Sequence, residues 1–125
     1  CPSRTVIDHI TSKWGMLILA ALGDGEPVRW SELRRRAEGV SEKMLAQTLR
    51  ILVADGLVAR DAQPVVPPHV EYSLTPRGLE LVELLTPLLT WVYDHAPQIL
   101  SDAEDAATVS AKERKEATEA KGRKG

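Results

Sequence analysis

Between Val28 and Thr75 the chain carries two short helical patterns, then two strand-like segments around a proline-rich loop. Val28 to Trp30 is β-like and suited to pairing with a later strand. Ser31 is placed to cap a short helix over Glu32 to Ala37, with Leu33 facing inward and Gly39 making the turn. Ser41 is placed to cap a second helix that runs to about Asp55, where Gly56 stops it. Leu57 to Ala62 and Val70 to Leu74 read as antiparallel strands. The loop between them, Gln63 to His69, is stiffened by Pro64, Pro67 and Pro68. Helix, turn, helix and hairpin in that order predict a mainly α (α+β) fold, the winged helix-turn-helix.

At about 100° per residue, Leu45, Leu49, Leu52 and Val53 fall on one side of the second helix and Lys43, Gln47, Arg50 and Ala54 on the other. An amine, an amide and a guanidinium on one outward face suit phosphates and base edges. The plain alternative for such a face is solvation, and the winged pattern around it favours contact with double-stranded DNA. The net charge of −2 does not oppose this, because the charge is unevenly distributed. Arg29, Arg34, Arg35, Arg36, Lys43 and Arg50 outnumber Glu32, Glu38 and Glu42 within that stretch.

The flanks look like assembly elements. Pro2 to Thr11 places Val6, Ile7 and Ile10 at helical spacing with Pro2 in the first turn. Lys13 to Leu22 makes a broad apolar face with Trp14, Leu17, Ile18, Ala21 and Leu22. Thr75 and Pro76 read as the N-cap and first-turn pair of a long C-terminal helix, with Pro87 expected to bend it. Its apolar residues spread over more than the usual stripe of about 100°. A homodimer built from terminal helices is therefore expected, with Val6, Ile10, Leu85, Leu88, Leu89 and Val92 as its contacts. Residues 1–101 read as the DNA-binding domain with its dimerisation helices, and residues 102–125 as a charged tail, frayed or disordered.

Other classes find little support. No apolar run reaches the roughly 18 residues of a membrane span, and no leader-like segment opens the chain, so a cytoplasmic protein without membrane partners is expected. There is no Gly-rich phosphate loop, no His-Glu-x-x-His, and no nucleophile, base and orienter set. No catalytic residues, cofactors or metal site are expected, and His9 and His95 read as helix-surface or interface residues. The competing class is a winged-helix protein-interaction module without specific duplex binding. Cys1 is the only cysteine, which excludes an intrachain disulfide. Placed before Pro2 at a helix start, it lies near the positive end of the helix dipole, which favours the thiolate.

The strings CPSRTVIDHITSKWGMLILAAL, VRWSELRRRAEGVSEKMLAQTLRILVADGLVAR and VPPHVEYSLTPRG, covering much of Cys1 to Val92, resemble the HxlR-type winged helix-turn-helix regulators, relatives of the MarR group. The ordered combination of Cys-Pro, Lys-Trp, Ser-Glu-Leu-Arg-Arg, Ser-x-Lys-Met-Leu, Asp-Gly-Leu-Val and Pro-Pro-x-Val-Glu-Tyr-x-Leu-Thr carries the resemblance. It implies a homodimeric transcription regulator acting on a palindromic operator. In some members an N-terminal cysteine senses oxidants or small electrophiles, a role that would fall here to Cys1. Against that pattern, Trp30 stands where Phe is usual and Ser12 replaces a common Gly. The wing carries Gln63, Val65 and His69 where Tyr, Glu and Arg are often found. An arginine there would suit a minor groove, whereas a histidine is charged only when protonated. The DNA-contacting set is then Ser31, Arg34, Arg35, Ser41, Lys43, Gln47, Arg50 and His69.

Overall fold

A computed structural model describes the backbone of residues 1–124 and side chains through Glu119. In chain order the elements are α1 (Pro2–Thr11), α2 (Gly15–Ala21), β1 (Val28–Arg29), α3 (Trp30–Arg36), α4 (Glu42–Ala54), β2 (Val58–Gln63), β3 (His69–Leu74) and α5 (Pro76–Lys124). The mainly helical, winged fold matches the expectation. Most boundaries lie within two residues of it.

The differences have local causes. Trp14 stands just ahead of α2, because Ser12 closes the preceding turn: its hydroxyl donates to the His9 carbonyl at 3.0 Å and accepts from the Gly15 N–H at 3.1 Å. Ser31 does not cap α3. The helix starts directly off β1, so the extended N-cap position falls to Arg29, and Ser31 lies inside the first turn. Residues 102–124, expected to fray or be disordered, continue α5 as helix. Between Gln98 and Lys121 the sequence is rich in Ala, Glu and Lys and contains neither Gly nor Pro, a composition of high helix propensity. The helix is also continuous through Pro87 and Pro97.

The sheet has the order β1-β3-β2, antiparallel throughout, with β3 in the middle. Val28 pairs with Tyr72, and Arg60 pairs with the same Tyr72 from the other side. The hairpin strand that leaves α4 and the short strand that feeds α3 thus share one partner. Beneath them Ile18, Leu19, Leu22, Leu33, Leu45, Leu49, Leu52 and Val58 are fully buried, and Tyr72, Leu74, Val82 and Leu85 close the same core. Fully burying one such aliphatic side chain stabilises by about 1.5–3 kcal/mol, so these few residues dominate the fold's cohesion. This compact unit runs from Cys1 to Pro87, and the chain from Leu88 onward forms a second unit.

Candidate nucleic-acid interface

α4 is held at both ends by local chemistry. At its start the Ser41 side chain accepts from the Met44 N–H at 3.1 Å, satisfying one of the donors a helix leaves unpaired. At its end the Gly56 N–H reaches the Val53 carbonyl and the Leu57 N–H reaches the Leu52 carbonyl, both at 3.0 Å. That is a Schellman closure, and it requires the left-handed φ of +74° that Gly56 adopts. Thr75 then ties the turn to α5. Its Oγ1 donates to the Gly56 carbonyl at 2.6 Å and accepts from the Gly78 N–H at 3.1 Å, which makes it the cap the sequence predicts.

Between those ends the two sides of α4 separate as expected. Leu45, Thr48, Leu49 and Leu52 are buried, while Lys43, Gln47, Arg50 and Ala54 are all exposed. Among the described residues, neither Lys43 nor Arg50 enters an ion pair. Their charge is therefore not already taken by a carboxylate of the same chain.

The arginines of α3 divide. Arg36 donates to the Ala21 carbonyl at 2.8 Å and to Glu32 at 3.2 Å, so it fastens α3 to the end of α2. Arg35 pairs with Glu32 at 2.6 Å, and Arg34 pairs with Glu42 at 3.0 Å. Hydrogen bonds from Arg35 and then Arg36 hold the Glu32 carboxyl below the usual carboxylate range. Exposed pairs of this kind contribute little to stability, and a phosphate can compete for the guanidinium. Ser31, Arg34 and Arg35 line one open depression with Glu38, Gly39 and Val40, so three of the expected contacts do come together.

In the wing, Val66 is 99% exposed at the loop, but His69 is half-buried. Its Nε2 lies 2.8 Å from Glu71 Oε1, so one ring nitrogen is occupied within the strand. Cys1 is an exposed free thiol at the N-cap of α1. Of the expected dimer contacts, Val6, Leu88 and Val92 are exposed, and Ile10 and Leu89 are half-buried. Leu85 is 8% exposed and belongs to the chain's own core, a placement opposed to the surface position expected of it. An apolar wheel counts residues that want cover without saying what covers them.

Arg60 is absent from the sequence-derived set. It is exposed on β2 and lines a cleft with Arg50, Ala46, Leu49, Val53 and Tyr72. Its signal was strand alternation, since Arg60 falls two residues after the buried Val58 and so on the same face.

A two-helix turn capped by Ser41, with a polar second helix and a three-stranded wing, defines the winged helix-turn-helix class. Residues 9–100 match the family described as HxlR-like helix-turn-helix, and the chain belongs to that family, a family of transcriptional regulators. It is 52% identical over 107 residues to the HTH-type transcriptional regulator YtfH of Escherichia coli (strain K12), covering 86% of this chain and 84% of that one. Among solved structures, the transcriptional regulator ytfH from Salmonella typhimurium superposes with a TM-score of 0.77 at 52% identity, covering 83% of this chain and 92% of that one. The redox regulator HypR in its reduced form gives 0.71 at 34% identity, covering 81% and 99%. Among the described residues no helix is long and apolar enough to cross a membrane.

Proposed function

We propose that this protein is a sequence-specific DNA-binding regulator that acts as a homodimer on an imperfect palindrome in the cytoplasm. The observation that carries the reading is the outward face of α4, where Lys43, Gln47 and Arg50 are exposed while the opposite face is locked into the core. In this reading α4 enters the major groove. Gln47 and Arg50 meet base edges, since glutamine can pair bidentately with adenine and arginine with guanine. Lys43, Arg34, Arg35 and the hydroxyls of Ser31 and Ser41 fix register through phosphates. His69, tied to Glu71, shapes the base of a wing that touches the adjacent backbone. Residues 1–101 carry both activities, and the charged stretch from 102 is an appendage.

Dimerisation draws support from two apolar surfaces taken separately. α1 exposes Val6 and Ile7, and the second unit exposes Leu88, Trp91 and Val92. A second copy would remove these from water. Cys1 supplies a redox or electrophile input, supported by its exposure and by the likeness to a protein named as a redox regulator.

The test is selection from a random duplex pool. Two-fold symmetry predicts enrichment of an inverted repeat with half-site centres about 34–36 Å apart, or a multiple of it. A pool left unenriched, with weak binding that ignores salt, would remove the DNA reading and leave the protein-interaction alternative.

A further inference from the structure

Arg60 and Arg50 approach one cleft from two elements. The cleft, about 360 Å³, lies between α4 and the sheet and is otherwise lined by Ala46, Leu49, Val53 and Tyr72. No carboxylate lines it. Alternation along β2 places Val58, Arg60 and Ala62 on the α4 side, and sends Asp61, with its partner Glu71, to the opposite side. Among the described residues, neither guanidinium makes an ion pair. Two cations lining one cleft make its potential positive, which favours an anion there. Its apolar walls also strengthen the attraction for that anion.

We propose that this cleft is a phosphodiester seat in which Arg60 of β2 holds a phosphate of the operator backbone, while Arg50 of α4 adds positive potential at its edge and keeps its guanidinium for the base. The inference rests on the DNA-binding reading and adds a residue and a contact to it. Position decides between backbone and base. A helix lying in a major groove points its outermost residues at base edges and is flanked by the two sugar-phosphate strands. The cleft lies on the flank of α4 toward the sheet, where the neighbour is backbone. Arginine suits the role because its planar fork donates two parallel hydrogen bonds to one phosphate.

The experiment compares wild type, Arg60→Ala and Arg60→Lys on two duplexes, one selected by the wild type and one of scrambled sequence, across a salt series. Arg60→Ala is expected to weaken both duplexes by the same factor, on the order of 10-fold, and to lower the salt slope by about 0.9 per seat. Arg60→Lys should restore the slope and only part of the affinity. A neutral methylphosphonate at the seated position should weaken wild type but leave Arg60→Ala unaffected, and if the alanine variant folds poorly Arg60→Lys takes its place, with a smaller loss than wild type. Arg60→Ala with wild-type affinity and slope would overturn the seat, as would a loss confined to the selected duplex. Inorganic phosphate that stabilises wild type but not Arg60→Ala, with duplex affinity unchanged, would reassign the seat to a soluble anion and overturn the proposal. A wild type that binds neither duplex would instead fail the DNA reading itself.

Discussion

Arg34 Nη1 stands 3.0 Å from Oε1 of Glu42, joining the last turn of α3 to the first turn of the helix proposed to enter the groove. A DNA phosphate arriving at this corner meets the cation already engaged and a carboxylate beside it. Glu42→Gln should therefore raise affinity for any duplex severalfold and steepen the salt slope by about 0.9 per phosphate gained. It should also lower stability by roughly 0.3–1 kcal/mol, because an acidic residue favours a helix N-terminus. Fluorescence anisotropy over a salt series checks the first part and urea melting the second. An unchanged slope would remove Arg34 from the phosphate contacts.

The outward face of α4 separates into two kinds of contact. Arg50→Ala should lose about 1–3 kcal/mol on the selected duplex and relax preference at one base position. Lys43→Ala should weaken selected and scrambled duplexes alike. Operator affinity unchanged in the double variant would refute the major-groove assignment.

Thr75 serves four backbone groups at once, since its own N–H reaches the Leu57 carbonyl at 3.1 Å and its carbonyl accepts from the Leu79 N–H at 2.8 Å. Replacing it with Val keeps the shape and removes both hydroxyl bonds, at about 1–3 kcal/mol, whereas Ser should retain most of the stability. Gly78→Ala should be worse than its size suggests, because a Cβ there would clash with the Leu57 carbonyl oxygen, a backbone atom that cannot turn aside. Urea melts with an unchanged m value would report both as losses of stability alone.

Leu85 and Leu88 lie one turn apart on α5 and should respond oppositely to a carboxylate. Leu85→Asp places a charge in the core and should unfold the compact unit, at several kcal/mol. Leu88 is half exposed, so Leu88→Asp should leave the fold intact and dissociate the dimer. Sedimentation paired with circular dichroism separates these outcomes. A folded wild-type monomer at micromolar concentration would reject the assembly.

A thiolate at Cys1 can be oxidised to a sulfenic acid, add to an electrophile, or join a second thiol in a mixed or intersubunit disulfide. Treating wild type and Cys1→Ser with a quinone or mild peroxide should change operator affinity only in wild type. For the disulfide forms, reductant should reverse the change. Equal responses in both proteins would exclude this input.

The parts legible from sequence are those set by local periodicity. The spacing of Leu45, Leu49 and Leu52 carried the orientation of α4, and Ser41 and Thr75 carried their caps, because each signal acts over a few residues. Ser31 failed for lack of one non-local fact: β1 pairs with β3, which lets α3 begin at once and moves the N-cap to Arg29. Leu85 failed likewise, since the width of an apolar face does not say which part the chain itself covers. Arg60 escaped notice because strand alternation assigns it a face but not the neighbour of that face. The neighbour, α4, is close only in space.

The two sides of α4 are chemically independent, and that has an evolutionary consequence. Stability resides in Leu45, Leu49 and Leu52, while Lys43, Gln47, Arg50 and Ala54 are exposed on the other side of the helix. Exposed substitutions of that kind usually stay within about 0.5 kcal/mol of neutral. A duplicated copy of this chain could drift through many outward residues without passing through an unfolded intermediate, and acquire a new set of target promoters while keeping the same scaffold.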